Sequence, residues 1–290
     1  MLSLHTNNAA LSAQNSIAKT QSQLSTSMTR LSTGYRINSA MDDAAGLQIA
    51  TRLKAQTSGM AVAMTNTQNS TSMLQTAEGA FGEVTNMLIR MKDLATQAAD
   101  ASSNAADKTA MQAEFDALGL ELNNVMTNTT YGGSLLLGDG TAATGTLSDA
   151  MTFQIGASKT EKMDFTVAAN MVTLNAALAA ASDNFTAAGA GTEFATGTSA
   201  NATIDLLKTA IDDVGTIRSA LGAAANRLDH INSNLSNIAT NTKAATGRIM
   251  DVDFATESSN MTSSQMLLQA GTAMLKQSNS MSSMVMSLLQ

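Results

Sequence analysis

Residues 30–52 read RLSTGYRINSAMDDAAGLQIATR, a charged, glycine-marked stretch that joins two segments of different character. A second joint, RIMDVDFATESSN at 248–260, stands near the other end. Outside the joints lie two arms almost without charge. Lys19 is the one Lys, Arg, Asp or Glu from Met1 to Thr29, and Lys276 the one from Ser258 to Gln290. Inside the joints, long periodic segments carry an ordinary charged face. This mirror arrangement predicts a mainly α chain: a long helical coiled-coil rod with paired N- and C-terminal helices and a small β-hairpin region.

Composition supports the same reading. Of 290 residues only 3% are aromatic, Trp is absent, and 20 are Met, a pattern suited to close helix-on-helix contact rather than a bulky centre. With no proline, nothing interrupts a long helix. With no cysteine, disulfides and thiolate metal sites are excluded. The formal charge of −7 argues against a nucleic-acid partner, which asks for a basic stripe. No run of about 20 apolar residues spans a membrane, and no basic-then-apolar leader is expected.

The first arm steps by sevens from Leu4 to Leu11 and again through Ile17, Leu24 and Leu31, with Ser, Thr, Gln and Asn opposite. Without charged helix formers on that face, such a helix is unstable alone and becomes ordered when packed on all sides. Asp42 and Asp43 supply caps for a helix from near Ala44 to about Ala99. Its seam is Leu74, Ala77, Phe81, Val84, Leu88, Met91 and Ala95. A further helix runs from Asp107 to Met126 and ends at Tyr131-Gly132-Gly133. Gly138-Asp139-Gly140 reads as a turn, and 151–155 and 163–167 as two short strands. Residues 170–200, rich in Ala, Thr, Gly and Asn, read as a loop-like cap.

The return begins near Thr203. Leu221, Leu228, Ile231, Leu235, Ile238, Thr242, Ala245 and Ile249 repeat at three, four and seven. The last arm keeps Phe254, Met261, Leu268 and Leu275 in a seven-residue register, beside a second stripe of Leu267, Met274, Met281 and Leu288. Leu11, Ile17, Leu24, Leu31, Leu268 and Leu275 are the residues expected to drive arm packing. Chemistry is thin by comparison. His5 and His230 stand apart from any metal-ligand spacing, and Asp42-Asp43 and Asp251-x-Asp253 are explained by helix capping. Neither catalysis, a cofactor nor a metal is expected.

The residues also carry a family resemblance. Thr6-Asn7 with Leu11 and Gln14, followed by RLSTGYRINSAMDDAAGLQIA, resembles the N-terminal signature of bacterial flagellins. LGAAANRLDHINSNLSNIA at 221–239 and the ending from Asp251 resemble the C-terminal signature. The resemblance covers about 1–135 and 215–290, in the family's order. The opening residues 2–7 and Tyr131-Gly132-Gly133 are most similar to lateral flagellins.

The resemblance implies a filament subunit for motility, exported by the flagellar type III route to an extracellular filament. Residues 1–34 and 258–290 correspond to the arms of the inner domain, D0, with joints at 35–46 and 248–257. Residues 47–180 and 203–247 correspond to D1, with 181–202 a short variable loop in place of outer domains. Arg30, Asp42, Asp43, Arg248 and Asp253 fall in or beside the joints, which carry the small shifts that let a filament supercoil. Implied partners are further copies of the chain, an export chaperone covering the last arm, cap and junction proteins, and host Toll-like receptor 5. The receptor epitope maps to Arg90, Leu94 and Glu114. Two rival readings are a hook–filament junction protein, which shares parts of both signatures, and a monomeric helical adaptor or chaperone.

Overall fold

The computed structural model describes residues 7–138, 145–186 and 189–288, with side chains as far as Ser280. Uninterrupted by proline, the chain forms helices α1 (Asn8–Thr33), α2 (Ala44–Ala99), α3 (Ala105–Asn128), α4 (Ala168–Ala181), α5 (Gly197–Met250) and α6 (Phe254–Leu288). Helices α2 and α5 have 56 and 54 residues, each roughly 80 Å at 1.5 Å per residue. Two antiparallel hairpins and two short 3-10 turns, Thr146–Ser148 and Asp183–Phe185, complete the described elements. Strand β1 (Thr130–Tyr131) pairs with β2 (Ser134–Leu135), and β3 (Met151–Gln154) with β4 (Lys162–Phe165). The protein is 78% helical, mainly α as the periodicities predict.

The chain divides into two compact units, 1–57 with 240–290, and 58–239. The division falls within α2 and α5, so each long helix contributes residues to both units.

Unit 58–239 holds an apolar core. The predicted α2 seam from Leu74 to Ala95 is buried at every position, none more than 1% exposed. Opposite it, α5 buries Ala200, Thr203, Leu207, Ala210, Val214, Ile217, Leu221, Ala224 and Leu228, steps of three and four throughout. The α5 seam thus starts some twenty residues before Leu221, in positions whose small residues hide it. Burying a Leu or Phe side chain contributes about 1.5–3 kcal/mol. The Arg218–Glu78 ion pair across these helices, at 3.6 Å with both side chains 40% exposed or more, adds little.

Two local expectations are corrected. Tyr131-Gly132-Gly133 does more than end a helix: Gly132 and Gly133, at φ 60° and 87°, form the two-residue turn of the β1–β2 hairpin. Residues 170–200 are no loop-like cap, since α4 occupies 168–181 and buries Met171, Leu174, Leu178 and Ala181 at helical steps. The segment after it is fastened as well. Gln112 of α3 donates to Glu193 and Asp116, both at 2.7 Å, and accepts from the Phe194 N–H at 2.8 Å. Phe194 then meets Phe115 edge-on at 4.8 Å. Of the predicted turn 138–140, Gly138 has φ 90°, and Asp139-Gly140 lies outside the described residues.

Candidate assembly interface

Unit 1–57 with 240–290 is built on the pairing of α1 and α6. Asn7 caps α1, accepting from the Ala10 N–H at 3.1 Å, and its amide donates to the Ser278 carbonyl and hydroxyl, both at 3.2 Å. The start of one arm is thereby tied to the far end of the other, so the helices run antiparallel.

On α1 the less exposed positions are Ala10, Ala13, Ile17, Thr20, Leu24, Ser27 and Leu31, with Arg30 beside the last, and on α6 Glu257, Met261, Ser264, Leu268, Gly271, Leu275 and Ser278. Both sets step by threes and fours, a heptad seam in which one position is large and apolar and the other small or polar. Gly271 lies so close to Ile17 that a Cβ there would stand 2.9 Å from its Cγ1. Ile17, Leu24, Leu31, Leu268 and Leu275 stand in this seam, each only partly buried. Leu11 does not: Ala10 and Ala13 take the seam positions, and Leu11 is 60% exposed. Phe254, expected in register with Met261, is 58% exposed at the first turn of α6. Leu4, Met281 and Leu288 fall outside the described side chains.

The sequence pattern missed the polar half of the seam. Ser27, Glu257 and Ser264, the arm residues below 9% exposure, are all hydrophilic. They line a groove of about 370 Å³ together with Ser22, Arg30 and Asn260. A seven-residue apolar repeat does not mark a serine as a seam position. The signal was available in the three–four spacing of Ser27 to Leu24 and Leu31.

The joints form by a short zipper. Tyr35 bridges Asp251 in antiparallel fashion, with the Arg36 N–H donating to Met250 O at 2.6 Å and the Val252 N–H to Gly34 O at 3.0 Å. Gly34 ends α1 at φ 75°, the left-handed conformation that glycine adopts without steric cost. Ile37, 1% exposed, anchors the N-terminal joint. One β-branched residue among polar neighbours had flagged nothing in the sequence.

The two aspartates beside it divide the capping work. Asp43 accepts from the Gly46 N–H at 2.8 Å and caps α2, while Asp42 accepts from the Ser39 and Asn38 N–H groups at 2.9 and 3.0 Å and closes the turn before it. Arg30 reaches both Asp42 (3.9 Å) and Glu257 (3.8 Å), linking α1 to the turn and to α6. Asp253 caps α6 through the Thr256 hydroxyl and the Ala255 N–H. Arg248 is exposed in the last turn of α5, where a cation suits the carbonyl end of the helix.

These bonds hold the carboxyls of Asp42 and Asp253 below the ordinary aspartate range. For Asp42 the Ser39 and Asn38 amides are the main cause, and for Asp253 the Thr256 hydroxyl. A depressed folded-state pKa stabilises above the unfolded value, about 3.9, and that contribution is lost as pH falls through the lower folded value. Replacing Asp42 with Ala is therefore expected to lower the thermal midpoint of this unit at pH 7. The difference from wild type should shrink as the pH drops below about 4. Calorimetry across that range checks it, and a difference independent of pH would contradict the assigned role.

Among the described residues no group of three or more His, Cys, Asp or Glu could hold a metal ion, and no helix is long and apolar enough to cross a membrane. His230 is exposed on α5, and His5 lies outside the described residues.

With the paired arms and the zippered joints in view, comparison with known proteins is decisive. The family description "Bacterial flagellin N-terminal helical region" matches residues 4–142, and "Bacterial flagellin C-terminal helical region" matches 204–289. The chain belongs to the bacterial flagellin family. It is 34% identical to Flagellin A of Vibrio anguillarum and 33% to Flagellin A of Vibrio cholerae, in each case over the whole of both chains. Those alignments occupy 385 positions against 290 residues here, so the relatives carry insertions that this flagellin lacks. A solved structure described as a flagellar hook-associated protein from Vibrio parahaemolyticus matches 72% of this chain and all of its own, at TM-score 0.56 and 18% identity. That likeness shows a shared fold alone.

Flagellins are structural proteins and not enzymes, and this flagellin is accordingly a subunit of the extracellular flagellar filament. Of its three residues with a receptor resemblance, Arg90 and Glu114 pair across α2 and α3, Nε to Oε1 at 2.8 Å, and both remain about half exposed. Leu94 is 2% exposed and belongs to the core.

Proposed function

We propose that this flagellin polymerises by burying the outer faces of α1 and α6 against neighbouring copies, after export through the flagellar type III route. One contrast carries the reading. Unit 58–239 closes its own seam, with Phe81 and Leu88 at 0% exposure, whereas the arms leave Leu11, Met28, Met266, Leu267 and Met274 between 51% and 67% exposed. Around those residues the arms offer hydroxyls and amides in place of charges. Such a surface can be buried densely without the heavy penalty of desolvating ions. The absence of disulfides suits passage of an unfolded chain.

An export chaperone covering the exposed face of α6 before assembly, and cap and junction proteins meeting it at the filament ends, fit the same surface chemistry. Negative-stain microscopy of purified protein with filament seeds tests the proposal. Long filaments are expected from the intact chain and none from a variant lacking 259–290. Monomer persisting in both, with protease-resistant arms, would promote the adaptor reading.

A second reading concerns Toll-like receptor 5. The exposed Arg90–Glu114 pair can serve as its contact, with Leu94 acting by fixing the helix beneath it. Arg90→Ala is expected to reduce signalling in receptor-expressing cells about tenfold, the loss of one charge-assisted contact. Unchanged signalling by that variant would remove the pair from the epitope.

A further inference from the structure

The methionines are divided between the two units by exposure. Within 58–239, Met60, Met91, Met126, Met151, Met163 and Met171 are buried, none more than 8% exposed, and Met64, Met73, Met87 and Met111 are half-buried. Every methionine in the exposed class among the described residues belongs to the other unit: Met28 (51%), Met41 (96%), Met266 (60%) and Met274 (67%). Met41 sits in the joint turn, while Met28, Met266 and Met274 stand on the outer faces of α1 and α6, off the heptad seam. With no cysteine in the chain, thioethers are its only sulfur groups open to oxidation.

We infer that Met28, Met266 and Met274 form an oxidant-sensitive modification site that controls whether the free subunit can assemble. The inference rests on the proposed burial of these faces in the filament. In the chemical step, a thioether sulfur attacks the electrophilic oxygen of hydrogen peroxide. An S–O bond forms as the O–O bond breaks, the sulfur loses two electrons, and the peroxide leaves as water. The product, methionine sulfoxide, places a strongly polar oxygen on a previously apolar side chain. In the free subunit that oxygen stays hydrated at little cost. In an assembled filament it would lose that hydration at a contact packed for a thioether. Oxidation at Met28, Met266 and Met274 therefore leaves the fold of 58–239 intact and lowers the competence of the arms. It acts on the subunit before assembly and spares subunits whose outer faces are already covered.

The test is seeded elongation of the full chain before and after mild peroxide treatment, with sulfoxide occupancy read by peptide mass spectrometry. Oxidised monomer is expected to elongate seeds roughly tenfold more slowly or worse, the scale for burying one unsatisfied polar oxygen, and methionine sulfoxide reductases should restore the rate. The triple variant M28L/M266L/M274L, which preserves apolar volume, should assemble and stay competent after peroxide. M41L alone should remain as sensitive as wild type. Preformed filaments should show low occupancy at Met28, Met266 and Met274. Elongation at the untreated rate by monomer carrying all three sulfoxides would overturn the inference, and so would a triple variant as sensitive as wild type. Untreated protein that fails to elongate seeds would overturn the filament proposal and this inference with it.

Discussion

Gly271→Leu is expected to slow seeded elongation by roughly ten- to a hundredfold, and adding Ile17→Ala should recover most of the loss. A Cβ at 271 would lie 2.9 Å from Ile17 Cγ1 and 3.6 Å from its Cδ1, so a leucine must drive the arms apart or push Ile17 from its rotamer. Overpacking of this kind costs about 1–3 kcal/mol, and each 1.4 kcal/mol is a factor of ten. Intrinsic propensity works the other way, since leucine favours a helix interior over glycine by about 0.8 kcal/mol. Reduced assembly therefore cannot be blamed on a weakened α6. The double variant moves side-chain volume from one side of the seam to the other, and light scattering after seeding measures all three proteins. Wild-type elongation by Gly271→Leu, or a double variant no better than the single, would show that the α1–α6 seam does not govern assembly.

The same seam explains what the sequence made legible and what it hid. Large apolar residues at regular steps expose a helix to reading, which is why Leu74 through Ala95 were found position by position and α2 was expected from Ala44 to Ala99. Where a helix contacts its partner through small or polar residues, the pattern fades while the geometry persists. Ala200, Thr203 and Ala210 occupy α5 seam positions, and α4 hides in an Ala- and Asn-rich stretch. Ser27, Ser264 and Gly271 do the same in the arms.

Leu11 and Phe254 show the limit of periodicity from the other side. Both are large, apolar and in a plausible register, yet each faces outward in the subunit. Periodicity reports that a face is apolar and says nothing of whether its partner is the same chain or another copy. At the joints, Asp42 and Asp43 were expected as caps, and division of labour between them depended on the turn at Ser39, which no spacing reveals.

The central claim is that the arms gain their order chiefly from other copies of the chain. Within the subunit, α1 and α6 bury little: Ile17, Leu24, Leu31, Met261, Leu268 and Leu275 are each only partly covered, and the fully buried arm positions are polar. Apolar burial of that extent falls short of the conformational entropy of two long helices, about 1–2 kcal/mol for each ordered residue. Local opening of the arms should thus be cheap in the monomer, while amides around Phe81 and Leu88 open only with the core.

Amide hydrogen exchange on monomer and filament tests this most directly. The account predicts that α1 and α6 exchange at least about a hundredfold faster than the α2–α5 core in the monomer and become protected on polymerisation, with the core slow in both states. Arms already as protected as the core in the free subunit, and unchanged in the filament, would contradict it.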